Sequence, residues 1–236
     1  MLDCAWRLED WGGGKVLRLK APNSKDVGYV RRTISEFLMP FVMLRNLRGS
    51  PVAQQCWDGV VWYSPTIFWG PLVKALKKSS ACRGYLIIRD IFPKWAVDIG
   101  IMGRGIPYLF FKIIEQFQYS IADIIGVQTP ANNDYFRKWG SQSNRRVEVL
   151  QNWLADAPNV GCRLEVSAGA LAGRKIFVYA GNMGVAQGMD VLIDLAERLR
   201  GRKDMGFLFV GRGSSVKHLL SESERRGLDN IVFFDE

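Results

Sequence analysis

An α/β fold built on parallel sheets is what this sequence predicts, and three observations predict it. Short apolar runs alternate with helical patterns of about 10–15 residues from Val60 to Leu150, and again from Lys175 to Phe234. Glycine-rich turns follow two of those runs directly, at Gly181–Gly188 and Gly211–Gly213. Between the two series, from Gln151 to Gly173, the periodicity fades into Asn, Pro, Ala and Gly, which marks a linker. The chain is thus expected to hold two α/β units, residues 1–152 and 153–236.

The elements follow in order. Lys15–Lys20 alternates weakly and reads as a short strand. From Tyr29 to Leu47 the apolar residues Val30, Ile34, Phe37, Leu38, Phe41 and Leu44 recur at helical spacing, with Pro40 expected to kink or split the helix. Arg31, Arg32, Arg45 and Arg48 decorate its ends, so two roles are open: a core-packing helix with a solvated basic face, or a helix lying on anionic lipid. Val60–Tyr63 is a strand, followed by a turn and a helix through Ala75–Lys78; Tyr85–Ile88 is the next strand and runs into Arg89-Asp90. Ile106–Ser120 is a strongly periodic helix with Leu109, Ile113 and Phe117 on one line and Phe110 and Ile114 beside it. Asp123–Gln128 is a strand, Thr129-Pro130 opens a short helix that closes at Gly140, and Val147–Leu150 is another strand. Beyond the linker come strand Lys175–Ala180, helix Gln187–Leu199, strand Phe207–Gly211, a helix through Ser223 and strand Ile231–Phe234.

Composition narrows the function classes. In 236 residues, 48% are apolar and 23% charged, the mix of a packed globule. Gly59–Val73, a charge-free stretch near the start, is broken by Ser64, Pro65 and Pro71, short of the ~20 apolar residues of a spanning helix. No basic-then-apolar leader opens the chain, so a cytoplasmic protein is expected. A single histidine, His218, leaves His-rich metal sites and Ser-His-Asp triads without raw material and reads as an ordinary surface residue. Cys4, Cys56, Cys82 and Cys162 are scattered, which argues against a disulfide framework or a structural metal. The net charge of +9 suits an anionic partner: phosphorylated small molecule, anionic lipid or nucleic acid. Nucleic acid ranks last, because the aromatic residues mostly follow core periodicity rather than interleaving with basic ones.

Three segments carry candidate chemistry. In Phe177-Val-Tyr-Ala-Gly-Asn-Met-Gly-Val-Ala-Gln-Gly188 an apolar strand runs into Gly181 and Gly184, and Gln187-Gly188 enters a helix. Glycines let a backbone approach a ligand, and a helix start offers unpaired N–H groups, so the segment can cradle a diphosphate; a purely steric glycine turn is the other reading. Gly211-Arg212-Gly213 is a second glycine turn at a strand's carboxyl end, the edge at which open α/β sheets bind ligands. Arg212 there can reach a phosphate or a neighbouring carboxylate. Asp90 ends an apolar strand before Pro93 turns the chain away; it serves either as a base or hydroxyl-binding group or as part of a structural ion pair or a loop cap.

Taken in order, these segments resemble the family 4 glycosyltransferases. The resemblance rests on Asp58-Gly-Val-Val-Trp-Tyr-Ser-Pro65, Ile88-Arg-Asp-Ile-Phe-Pro-Lys-Trp-Ala-Val97, Ala122-Asp-Ile-Ile-Gly-Val-Gln128, Val149-Leu-Gln-Asn-Trp153, Val178–Leu192 and Phe209-Val-Gly-Arg-Gly213, and covers the chain from about Lys15 onward. It is closest to the branch that transfers amino-sugars in bacterial O-antigen, capsule and other surface-polysaccharide assembly. It implies two Rossmann-like domains of the GT-B type, an acceptor-side domain in residues 1–152 and the first half of the nucleotide-sugar-binding domain in 153–236. It implies a retaining, metal-independent transferase with no cofactor beyond its nucleotide-sugar donor, UDP-linked, and a lipid-linked saccharide acceptor. Such an enzyme would work as a peripheral protein on the inner face of the cytoplasmic membrane. On this resemblance Gly181, Asn182, Gly184 and Gln187 hold the leaving diphosphate, Gly211, Arg212 and Gly213 border the nucleotide, and Asp90 is the catalytic residue of the acceptor domain. The alternative is a non-catalytic Rossmann-like remnant that binds anionic lipid or a protein through its basic helices.

The sequence departs from the family pattern in three places. Asn182 and Gln187 stand where many members carry Arg and Lys, as is usual in the amino-sugar branch. The family's opening strand and glycine loop do not precede the strand at Val16–Leu19, and its later paired glutamates do not follow Phe233. Two complete domains of this kind take about 300 residues, so both domains are expected to be incomplete here.

Overall fold

The computed structural model describes residues 3–24, 27–64, 66–158, 160, 161, 164 and 169–235; Cys162 lies outside the described residues. The chain divides into two compact units, Met1–Leu154 and Ala155–Glu236.

The first unit opens with a hairpin of β1 (Trp6–Trp11) and β2 (Gly14–Leu19), antiparallel, with Trp11 opposite Gly14. Gly12 and Gly13 turn it with φ of 54° and 86°, the paired positive values of a tight two-residue turn. The strand expected at Lys15–Lys20 therefore exists, and it lies outside the parallel sheet. A two-residue turn brings β1 against β2 at the lowest loop-closure cost, and that pair stands as its own sheet.

Helix α1 (Tyr29–Arg48) runs unbroken through Pro40, so of the kink or split expected there the split does not occur. Pro40 is its one buried residue, so packing at that point holds the helix together where a backbone hydrogen bond is lost. Next come β3 (Gly59–Ser64), α2 (Gly70–Ser80), β4 (Arg83–Ile88), α3 (Lys94–Asp98), α4 (Ile106–Ile121), β5 (Ile124–Val127), a 3-10 turn (Pro130–Asn132), α5 (Asn133–Gly140) and β6 (Arg146–Val149). The four strands form one parallel sheet in the order β3-β4-β5-β6. Leu86, Ile88, Ile125 and Val127 of its centre pack with Val73, Tyr119 and Phe136 from the helices.

Helix α4 is turned inside out. Its buried residues are Glu115, Gln118, Tyr119 and Ile121, whereas the apolar line Leu109, Ile113 and Phe117, with Ile106 and Phe110, is exposed. The expectation that the aromatics follow a core periodicity is corrected at this helix and at α1, where Tyr29, Phe37 and Phe41 are exposed as well. The polar inner face is satisfied locally: Glu115 accepts from Tyr135 Oη at 2.7 Å and meets Lys112 Nζ at 2.5 Å. Burial and the Glu115 carboxylate push the Tyr135 and Tyr119 hydroxyls well above the usual tyrosine range.

The second unit holds β7 (Lys175–Ala180), a 3-10 turn (Val185–Gln187), α6 (Asp190–Arg198), β8 (Met205–Val210), α7 (Val216–Arg225) and β9 (Ile231–Phe234). Its strands are parallel in the order β7-β8-β9. Met183, Ile193, Phe207, Phe209 and Leu219 form its core. Arg226 fastens α6 to α7, donating from Nη1 to Asp194 at 2.6 Å and to Glu197 at 2.9 Å, and from Nε to Glu222 at 3.1 Å.

Candidate functional site

Parallel pairing sets Ala180, Val210 and Phe234 level with one another at the carboxyl edge of the second sheet. The two glycine loops leave the sheet side by side there and are laced through their backbones. Gly181 N–H donates to Val210 O, Met183 N–H to Arg212 O, and Ser215 N–H to Met183 O, each at 2.9 Å. The spacing leaves no room for a side chain: a Cβ on Gly211 would sit 2.2 Å from Gly181 O, and one on Gly213 would sit 2.2 Å from Met183 O. Gly211 also holds φ at 135°, a conformation L side chains rarely adopt. These two glycines are therefore required by loop-on-loop packing, and Met183, fully buried, anchors the lacing from below.

Gly184 has a different environment. A Cβ there would meet Asn182 Nδ2 and Gln187 Oε1 at 2.9 Å, both ends of flexible side chains. Gln187 reaches back so that its Oε1 accepts from Gly184 N–H at 3.1 Å and from Asn182 Nδ2 at 3.2 Å. The backbone turns the same way, with Gln187 N–H donating to Gly184 O at 3.1 Å. Tyr179 Oη donates to Asn182 O at 2.8 Å and holds the loop from the strand side. The space above Gly184 is thus lined by Asn182 and Gln187, so a ligand oxygen that takes the Gly184 N–H must displace the Gln187 amide. The reach of a glutamine three residues after the turn was readable as half of a capping box.

The expected helix from Gln187 is corrected: Val185–Gln187 is a 3-10 turn, Gly188 follows with φ of 57°, and α6 starts only at Asp190. An acidic residue in the first turn of α6 answers its dipole, so the loop and 3-10 turn, rather than α6, offer N–H groups to an anion. Asp190 also pairs with His218 Nε2 of α7 at 2.8 Å, which gives the lone histidine a partner that sequence reasoning missed.

In the first unit the carboxyl edge carries Ser64, Arg89-Asp90, Gln128 and Leu150, since Ser64, Ile88, Val127 and Val149 are level in register. Asp90 is exposed just beyond β4. Arg89 does not pair with it; its Nη1 donates to Leu150 O at 2.9 Å and its guanidinium lies 5.2 Å from the Trp153 ring centre. Arg89 and Asp90 therefore form no ion pair with each other, because Arg89 is spent on the β6 side. Asp90 belongs to the first unit, and the seven glycine-loop candidates to the second.

Two clefts lie away from these loops. One of about 510 Å³ sits beside β9, between Leu220, Leu228 and Phe233; one of about 340 Å³ lies between α4 and α5, bordered by Lys112, Lys138, Trp139 and Arg145. Among the described residues no group of three or more His, Cys, Asp or Glu side chains is placed to hold a metal ion. Cys4, Cys56 and Cys82 are free thiols.

No protein-family model matches the chain. A protein of Escherichia coli (strain K12), named as the colanic acid biosynthesis glycosyl transferase WcaI, is 27% identical over 197 residues, covering 78% of this chain. The chain spans 47% of the length of that relative. Among solved structures, Anabaena Alr3699/HepE in complex with UDP and glucose superposes with a TM-score of 0.59 at 15% identity, over 84% of this chain and 51% of its own. Staphylococcus aureus TarM, solved with UDP and α-GlcNAc-glycerol, superposes with a TM-score of 0.53 at 15% identity, over 83% of this chain and 36% of its own. In sequence the chain is similar to a protein named as a colanic acid biosynthesis glycosyl transferase, and its two units have the Rossmann-like fold of the GT-B type.

Proposed function

We propose that this chain is part of a retaining glycosyltransferase that moves an N-acetylated amino-sugar from a UDP-linked donor to a lipid-linked surface-polysaccharide acceptor, and that these 236 residues alone transfer little or no sugar. One observation carries the reading: two glycine loops at adjacent strand ends, laced backbone to backbone, with an amide-lined space over the Gly184 N–H. The lacing fixes the loop backbones, and the Gly184 N–H turns to a diphosphate once the Gln187 amide swings off it. In this mechanism Gly181, Asn182, Gly184 and Gln187 take the diphosphate, and Gly211, Arg212 and Gly213 border the nucleoside. Asn182 and Gln187 bring amides instead of charges to that contact, so the negative charge of the leaving group is answered by backbone N–H groups and Arg212.

The acceptor hydroxyl attacks the anomeric carbon on the face from which the diphosphate departs. The bond from that carbon to the diphosphate oxygen breaks, and the departing oxygen takes the hydroxyl proton. No metal enters these steps. Asp90 accepts a hydrogen bond from an acceptor hydroxyl and orients it. In this reading the reaction runs at the inner face of the cytoplasmic membrane, and the exposed arginines of α1 support that reading.

Calorimetric titration with UDP tests the donor half. Specific, saturable binding stronger than that of inorganic phosphate is expected, and Gly184→Val should abolish it while leaving the melting curve nearly unchanged. Equal binding of UDP and phosphate would favour the other reading, a non-catalytic protein that binds anionic surfaces, for which the exposed stripes of α1 and α4 speak. Asp90→Asn, made in a full-length version of the enzyme, should lower transfer to extracted lipid acceptors while UDP affinity stays the same; a change confined to UDP affinity removes Asp90 from the acceptor side.

A further inference from the structure

The outer faces of α1 and α4 have a composition that water does not favour. On α1 the exposed stripe is Val30, Ile34, Phe37, Leu38 and Phe41, at the spacing of one helical face. On α4 it is Ile106, Leu109, Phe110, Ile113 and Phe117, with Ile106 at 86% exposure and Ile113 at 62%. The two stripes meet, because the Phe37 and Phe110 rings lie 6.3 Å apart. Contiguous apolar surface of this extent marks a contact with a partner or a membrane.

Charge says which. Each helix holds a single carboxylate: Glu36, tied to Arg32 at 2.7 Å and to Thr66 at 3.0 Å, and Glu115, fully buried. Neither offers an exposed acid. Around the stripes stand Arg31, Arg45 and Arg48 on α1 and Arg104 just before α4, all exposed. An apolar stripe rimmed by cations alone complements anionic headgroups over acyl chains, whereas a protein partner is usually met by charges of both signs. Among the described residues no helix is long and apolar enough to cross a membrane, and α1, 20 residues or about 30 Å long, carries four arginines. The helices can lie along an interface.

We propose that the joined outer faces of α1 and α4 form the surface by which this protein lies on an anionic bilayer, their apolar stripes entering the boundary between headgroups and acyl chains. The proposal deepens the membrane part of the function above and rests on it for the acceptor alone. It changes the expected mode of binding: attraction by arginines is screened by salt, while apolar insertion is not. The surface also leads towards the candidate acceptor edge. Phe110 stacks edge-on against Phe111 at 5.3 Å, and Phe111 against Phe92 at 5.0 Å, two residues from Asp90.

Flotation of the whole chain with phosphatidylcholine vesicles, with and without phosphatidylglycerol, tests this at low and high salt. Binding only to the anionic vesicles, with part of it surviving high salt, is the expected result. Leu109→Ser with Ile113→Ser should weaken that binding about tenfold or more at both salt levels, as loss of two buried aliphatic side chains implies. Arg45→Ser with Arg48→Ser should weaken it at low salt only. Val191→Ser, 65% exposed on α6, is the control and should bind as the parent does. The substituted positions are exposed, so unchanged circular dichroism is expected for every variant. Complete release by salt, an equal effect of Val191→Ser, or unaltered binding by Leu109→Ser/Ile113→Ser would overturn the proposal. So would a parent chain that elutes as a dimer and becomes monomeric, with vesicle binding unchanged, in Ile113→Ser. UDP titration of the same variants keeps this outcome separate from that of the donor site: UDP binding that persists while vesicle binding is absent refutes the docking surface alone.

Discussion

Gly184 and Gly213 look alike in the sequence, yet they answer to different physics. A Cβ on Gly213 would strike a backbone carbonyl at 2.2 Å, and that carbonyl is held by a second hydrogen bond from Ser215 N–H. A Cβ on Gly184 would press on two side-chain ends at 2.9 Å, which can rotate away. Gly213→Ala is therefore expected to cost about 1–3 kcal/mol or more in urea unfolding, the scale of overpacking in a rigid site. Gly184→Ala should stay within about 1 kcal/mol of the parent and show its effect in UDP titration instead. Equal losses of stability would mean that the two loops are equally rigid. The identity of both glycines was legible in the sequence, but the reason for Gly213 was not, because its clash partner, Met183, lies 30 residues away beyond another strand end.

Between elements, the clearest device is the arginine that joins α6 to α7. Arg226 bridges Asp194, Glu197 and Glu222, and together with Arg225 it holds the Glu222 carboxyl down at about 2, by hydrogen bonds first and charge second. A carboxyl whose folded value is depressed stabilises the fold above its unfolded value of 4.5, and that stability is lost as pH falls towards 2. Arg226→Ala, which breaks three bridges, should lower the urea midpoint at neutral pH more than Arg225→Ala, whereas Arg225→Ala, which removes the larger hold on the Glu222 carboxyl, should flatten the decline of stability between pH 4.5 and 2 more. Identical acid limbs in parent and variant would show that the bridge contributes nothing measurable. At the same scale the alternation of strands and helices was readable from periodicity, including the unusual apolar period of α4. Which side of α4 faces inward was not. A helical wheel gives the angle between faces but not the neighbour, and here Tyr135 and Lys112 supply partners that let Glu115 go inside.

For the whole molecule the net charge of +9 makes long-range attraction of phosphates the first event in any of the proposed encounters. UDP association measured by stopped flow should slow as ionic strength rises, since exposed charges more than about 10 Å apart are screened at 0.1 M salt. A rate independent of salt would show that the basic residues do not steer the donor. By itself the sequence determined the α/β class, the alternation of strands with helices and the position of the two glycine turns. These follow from periodicity, breakers and charge, which act within a few residues of one another. Only the tertiary structure decided that β2 pairs with β1 outside the parallel sheet and that Pro40 lies within an unbroken helix. It also decided that Gly211 and Gly213 serve loop packing, and that the apolar faces of α1 and α4 turn outward. Each of those depends on which distant segment comes to lie alongside, and contact between distant segments is settled by the packing of the folded chain.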